Sequence, residues 1–199
     1  MKSILAGFSI GIACILYILC PNPIIGACIF GLGLLNIRLM QYNLFTGKTQ
    51  RLITDTDGSF GEIVGGLIGL AFMFILNGIG IAGAVILSGW IPGVTEAAAA
   101  IASNKFALDL VRVFGQSLLC GYLMTMATRP STPMWMTPLP VFAFVYAGLN
   151  HCVADLFYYL SSTATIGAML PHLLTTIAGN LFGGIAGALY SPTSTEETQ

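Results

Sequence analysis

Charge is what this sequence has least of. Its seven Lys and Arg and eight Asp and Glu make up 8% of 199 residues, whereas 56% are hydrophobic and the mean hydropathy is +0.87. A soluble domain carries about a quarter or more of its surface as charged residues, so the composition excludes one. The formal charge of -1 and the lack of any basic stripe argue against a nucleic-acid partner. The five cysteines (Cys14, Cys20, Cys28, Cys120, Cys152) form no C-x-x-C pair, and no His stands beside them at metal spacing. They sit in or beside apolar segments and are expected as buried thiols, with no metal and no cofactor. A Walker loop and a G-x-S-x-G elbow are both missing, so no enzyme is expected.

Apolar runs are what the sequence has in quantity. They cover about 3–20, 24–44, 63–90, 106–127, 138–160 and 169–190. A helix needs roughly 20 mainly apolar residues to cross a hydrocarbon core. The chain is therefore expected to be an all-α membrane protein with six transmembrane helices in one domain, 1–190, followed by a short polar tail, 191–199. Pro21 and Pro23 separate the first pair, Trp90-Ile91-Pro92-Gly93 ends the third run, and a proline-rich connection from Arg129-Pro130 to Pro140 precedes the fifth. The stretch Cys20-Pro21-Asn22-Pro23 lacks the small residues of a signal cleavage site, so the first run reads as a retained span. Lys2, Lys48, Arg51 and Arg129 fall on one side, and Lys105 with Arg112 toward the other. By the positive-inside rule both termini are expected in the cytoplasm, with the chain in the cell (inner or plasma) membrane and lipid as its surroundings.

Small residues recur four apart at Gly7 and Gly11, at Gly65 and Gly69, and at Gly179, Gly183 and Gly187, a spacing that lets helices approach closely in lipid. A repeat is also visible when runs one to three are laid over runs four to six. Gly7 then meets Gly115, Leu44-Phe45-Thr46-Gly47 meets the stretch near Asn150-His151-Cys152, and Gly65–Gly69 meets Gly179–Gly183. Three-helix halves run in opposite senses across the membrane, so the pattern predicts an inverted three-plus-three repeat whose interrupted second and fifth helices line a solute path. His151 lies deep in the fifth run with Asn150 and Asp155 nearby. An ionisable group there is costly and usually lines a cavity, although a histidine that only holds a helix contact is the competing reading.

At these residues the sequence resembles the formate/nitrite transporter family. The resemblance rests on Leu5-Ala6-Gly7 with Gly11, on Gly26-Ala27 and Gly31 to Leu35, and on Asn43-Leu44-Phe45-Thr46-Gly47-Lys48. It continues through Lys105, Leu118-Leu119-Cys120, His151-Cys152-Val153-Ala154 and Gly179 to Gly184. It implies an aquaporin-like fold, a homopentamer with a pore in every protomer, and a channel or transporter for small monovalent anions or their conjugate acids such as formate or nitrite. Carried over, the substrate pore is His151 facing Thr46, with Phe45 beside it and Asn180 as a polar position of the sixth helix. Phe30 and Phe144 correspond to the outer constriction, Leu34, Leu44 and Met124 to the inner one, and Lys105 to the lysine that draws anions inward.

The sequence also departs from the family. Asn150 replaces the usual Glu before the histidine, Asp155 replaces the Asn after it, and Gly66 and Gly121 fall where asparagines are expected in the third and fourth helices. Arg38 and Gln41 stand at mostly apolar positions, and the first span opens near Ser3 where the family has an amphipathic segment. Arg38 and Asp155 carry opposite charges, so they either pair across the two interrupted helices or snorkel and pack separately.

A bare anion crossing an apolar constriction must be offset by positive potential or neutralised by a proton. Lys105 and Arg112 are candidates for the potential at the mouth, helix N-termini for that at the centre, and His151 for the hydrogen bond or proton. Two rivals stand beside this reading. A neutral-solute channel of aquaporin type would need paired Asn-Pro-Ala boxes, which are missing. The other is an assembly subunit whose polar residues bind a partner helix.

Overall fold

The computed structural model describes residues 1–189; the proposed polar tail 191–199 lies outside them. The helices are α1 (Lys2–Leu19), α2 (Pro23–Leu39), α3 (Arg51–Thr54), α4 (Phe60–Ser88), α5 (Val94–Phe106), α6 (Leu110–Thr128), α7 (Pro138–Tyr146), α8 (Cys152–Leu160) and α9 (Ile166–Leu189). No strand occurs among the described residues. Among the described residues four helices, α1, α4, α6 and α9, are long and apolar enough to cross a membrane. The second and fifth apolar runs are instead divided between shorter pieces.

Local sequence explains most boundaries. Asn22 caps α2 through its side-chain oxygen, with Pro23 at the first position, and Asp109 caps α6 in the same way. Ser59 accepts from the Glu62 N–H to open α4. The helices α2 and α7 end alike, since the Tyr42 N–H reaches the Ile37 carbonyl and the Leu149 N–H reaches the Phe144 carbonyl. Each turn passes through a left-handed residue, Gln41 (φ 53°) in one and Gly148 (φ 67°) in the other. Glycine takes that conformation freely; Gln41 does not.

Packing pairs α1 with α4 and α6 with α9, and backbones touch where the two pairs cross. A Cβ on Gly7 would run into the Asn77 carbonyl and one on Gly121 into the Asn180 carbonyl; Gly80 meets the Ile4 carbonyl, and Gly183 the Leu118 carbonyl. Gly7 and Gly121 thus have like environments, each against an asparagine carbonyl, whereas Gly115, which the sequence alignment sets against Gly7, has open space around it. Gly65 and Gly69 are likewise exposed with nothing near them, so that pair packs no helix within the chain. On α4, Ile68, Phe72, Ile75, Ile79 and Ile86 are exposed, as suits a surface meeting lipid or another protomer.

Further differences concern the connections. Residues 94–106, which fall between the third and fourth apolar runs, form α5, which packs against α8 and α1 and carries Lys105 inward. After the 3-10 turn Phe45–Gly47 the chain makes only the one-turn α3 and then a polar link to α4. The polar stretch Thr54-Asp55-Thr56-Asp57-Gly58-Ser59 prevents a longer helix there. Cys14, Cys120 and Cys152 are buried, but Cys20 is half-buried and Cys28 exposed, and all five are free thiols.

Candidate functional site

The site is assembled where two irregular segments meet. One runs from Met40 to Gln50 and the other from Ala147 to His151, and both are held by asparagines from long helices. Asn77 of α4 accepts the Phe45 N–H (2.9 Å) and donates to the carbonyls of Asn43 (2.9 Å) and Ser3 (2.7 Å). Asn180 of α9 accepts the Cys152 N–H (2.8 Å) and donates to the carbonyls of Asn150 (3.0 Å) and Ser117 (2.8 Å). Buried backbone groups outside regular helix need such partners. Asn77 was not singled out in the sequence, although an amide alone in a 29-residue apolar helix was an available signal. The amide of Asn180, expected in the substrate pore, is wholly engaged in this bracing.

Between the braced segments, the His151 Nε2 lies 2.8 Å from the Thr46 Oγ1, and both residues are buried. His151 is also the N-cap of α8: the Ala154 N–H donates to its Nδ1 at 3.1 Å. A nitrogen accepting a hydrogen bond carries no proton, so the ring proton is on Nε2 and points at Thr46. The ring plane is fixed by Phe144, which stacks on it at 5.4 Å and 8°, and Phe144 in turn meets Phe30 edge-on at 6.3 Å. Phe45 turns its ring to Phe74 of α4 (5.4 Å), so its backbone rather than its ring serves the segment.

Two cavities approach this centre. One, of about 310 Å³, is lined by Phe30, Phe144, His151, Lys105, Asp155 and Tyr158 among others. The second, of about 720 Å³, is bounded inward by Leu34 and Leu44 and lined by Arg38, Lys48, Arg51 and Arg129. Along α2, Phe30 borders the first cavity, and Leu34, Ile37 and Arg38 border the second. Phe30, Leu34, Leu44 and Phe144 are all buried and form the apolar wall between them. Met124 is buried beside this wall and lines neither cavity.

Arg38 and Asp155 do not pair. Arg38 donates to the carbonyls of Ala127 (2.9 Å), Arg129 (3.1 Å) and Thr132 (3.0 Å) and to the Thr137 hydroxyl. It thereby meets the Ala127 carbonyl in the last turn of α6, where a cation is favoured, and two carbonyls of the chain that follows. Asp155 pairs instead with Lys105 at 2.9 Å. The Lys105 ammonium also donates to Asn150 Oδ1 (2.8 Å) and the Leu149 carbonyl (3.4 Å), and Asn150 donates onward to Gln116 (2.8 Å). Arg112 is exposed and lines neither cavity.

Comparison with known proteins agrees with this architecture. The model of the family "Formate/nitrite transporter" matches residues 1–191. An uncharacterized transporter, YrhG of Bacillus subtilis (strain 168), is 24% identical over 191 residues, covering 85% of this chain and 71% of its own length. Among solved structures, an FNT family ion channel superposes with a TM-score of 0.80 at 22% identity, covering 96% of this chain and 89% of the other. A pentameric formate channel with formate bound gives 0.71 at 20% identity, covering 94% and 91%. A family match over nearly the whole chain, joined to helices of membrane-crossing length and a neighbouring channel fold, establishes that this membrane protein belongs to the formate/nitrite transporter family.

Proposed function

We propose that this chain is a channel for small monovalent anions or their conjugate acids, with formate and nitrite as the reference substrates. The observation that carries the reading is the buried 2.8 Å contact between His151, which lines the smaller cavity, and Thr46, whose neighbours Leu44 and Gly47 line the larger. Six helices form an inverted repeat in which α2 with the Phe45–Gly47 turn, and α7 with α8, are the interrupted members. The matched bonding of Asn77 and Asn180 supports that symmetry. Five protomers assemble, each with its own pore, in the cell membrane with both termini cytoplasmic.

The chemistry follows from the contact. An anion that passes Phe30 and Phe144, or Leu34 and Leu44, has shed most of its water, which costs several kcal/mol unless a donor replaces it. The Nε2–H of His151 and the hydroxyl of Thr46 are the donors at that point. A protonated, neutral acid crosses the apolar rings at lower cost than its anion, so proton-linked passage suits the same geometry. Lys105 marks the Phe30–Phe144 mouth, where its attraction for anions is shortened by Asp155 at 2.9 Å.

Flux of labelled formate, nitrite, sulfate and water into proteoliposomes tests the reading. Formate and nitrite are expected to pass and sulfate to be excluded. Rapid water flux without formate would establish an aquaporin-type pore instead, and flux of none of them would point to an assembly role.

A further inference from the structure

The charged residues on the wall of the smaller cavity are Lys105 and Asp155, one of each sign and 2.9 Å apart. His151, on the same wall, accepts the Ala154 N–H at its Nδ1 and so carries no charge in this arrangement. The cavity thus presents a neutralised pair in place of a free cation.

What the pair leaves unspent is an acceptor. An ammonium has three protons, and around that of Lys105 stand Asp155 Oδ1, Asn150 Oδ1 and the Leu149 carbonyl. The second carboxylate oxygen, Asp155 Oδ2, has no hydrogen-bond partner among the described residues, although the side chain is only 1% exposed. A buried acceptor is normally satisfied, and an ionised carboxylate has nothing to donate. Gln116, which also lines the cavity, gives its Oε1 to Asn150 and leaves its own amide N–H groups without an acceptor among the described residues.

We propose that Asp155 is a specificity-determining residue that contacts the permeating species: its second oxygen accepts a hydrogen bond from the O–H of a small neutral acid, so the cavity admits the conjugate acid in preference to the anion. The inference rests on the reading that this cavity leads into a conducting pore. A neutral acid brings the donor that Asp155 lacks, and its other oxygen can accept from the Gln116 amide. A hydrogen bond to an ionised carboxylate is about twice as strong as one between neutral groups. A deprotonated solute brings acceptors only, sets a second negative charge beside Asp155, and meets no unspent proton on Lys105. Solute and carboxylate share one proton whichever oxygen carries it, so each molecule that passes travels with its proton. The preference holds for flux in either direction, as a passive path requires.

The test compares two small planar solutes entering proteoliposomes of the assembled protein at mildly acidic pH: labelled formate, which is in equilibrium with its acid, and labelled nitrate, which stays ionised. Leakage into protein-free liposomes is subtracted. Formate is expected to enter faster by about tenfold or more, the scale of one charge-assisted hydrogen bond, and to acidify the lumen as it does so. Asp155→Asn keeps an oxygen for Lys105 but replaces the free acceptor by an N–H donor, and it should bring the two rates close together by raising nitrate entry. Asp155→Leu with Lys105→Met removes the acceptor without stranding a charge and should also abolish the preference. A residue that only holds α5 against α8 would change assembly or total flux and leave the formate-to-nitrate ratio as it was. An unchanged ratio in either variant, in protein of normal assembly, would overturn the inference alone, as would parent protein that passes nitrate as readily as formate. Entry of neither solute would overturn the conduction reading and this inference with it.

Discussion

Asn77 and Asn180 perform the same task at two places in the molecule, each accepting one backbone N–H and donating to one carbonyl of a segment that has left helical geometry and to one carbonyl of a neighbouring helix, Ser3 of α1 or Ser117 of α6. The segments they hold carry Thr46 and His151. Rigid placement of the central pair therefore depends on two amides that line neither cavity.

Replacing either asparagine by Leu leaves buried backbone groups without partners, at a cost of about 1–3 kcal/mol for each group. Asn77→Leu and Asn180→Leu are expected to lower the unfolding temperature in detergent by a similar amount. Asn→Asp at either site, which keeps the acceptor and loses the donor, should fall between Leu and the parent. Unequal losses would show that the two halves are not braced alike.

His151→Phe removes both the Nε2 donor and the cap on the Ala154 N–H, and it is expected to reduce formate flux at least tenfold. His151→Asn keeps a capping oxygen and a donor. It should retain measurable flux and show no pH dependence between about 5 and 8, where an ordinary histidine titrates. Flux is measured on protein of verified oligomeric state; parent-like flux in His151→Phe would make the ring a packing residue only.

Lys105→Met strands the Asp155 carboxylate in the interior, since Asp155 is 1% exposed and its partner 12%. Breaking a buried pair costs about 3–5 kcal/mol, while replacing both partners by apolar residues is often neutral. Lys105→Met is thus expected to destabilise strongly, and Lys105→Met with Asp155→Leu to recover much of the loss in thermal unfolding. Additive losses in the double variant would argue against direct coupling.

The space around each residue predicts opposite effects at nearby glycines of α6. Gly115→Ala has room for its Cβ and should stabilise the helix by up to about 1 kcal/mol. Gly121→Ala drives a methyl group into the Asn180 backbone and should reduce both assembly and flux. Detergent melting curves of the two variants decide the point.

Membrane residence and the positions of the apolar runs were legible in the sequence, because each follows from a local cost; His151 facing Thr46 came from overlaying the two interrupted runs and from the family resemblance. An uncharged run of about 20 residues has no stable place in water. A histidine within such a run must find polar company, and the stretch Leu44-Phe45-Thr46-Gly47 supplied the facing group. The tertiary structure alone decided which partners the remaining polar residues take. Arg38 and Asp155 have opposite charges, and composition allows them to pair. Arg38 instead meets carbonyls at and after the end of α6, and Asp155 meets a lysine delivered by α5, a helix whose polar, alanine-rich sequence gave no apolar run to notice. Which glycines pack was hidden for a similar reason: with 24 glycines, many alignments match glycine to glycine. Only backbone contact at a helix crossing distinguishes Gly121, against the Asn180 carbonyl, from Gly115, which touches nothing. Charge and hydropathy are properties of a residue and can be read along a chain; pairing and close approach are properties of two residues and exist only once the helices have packed.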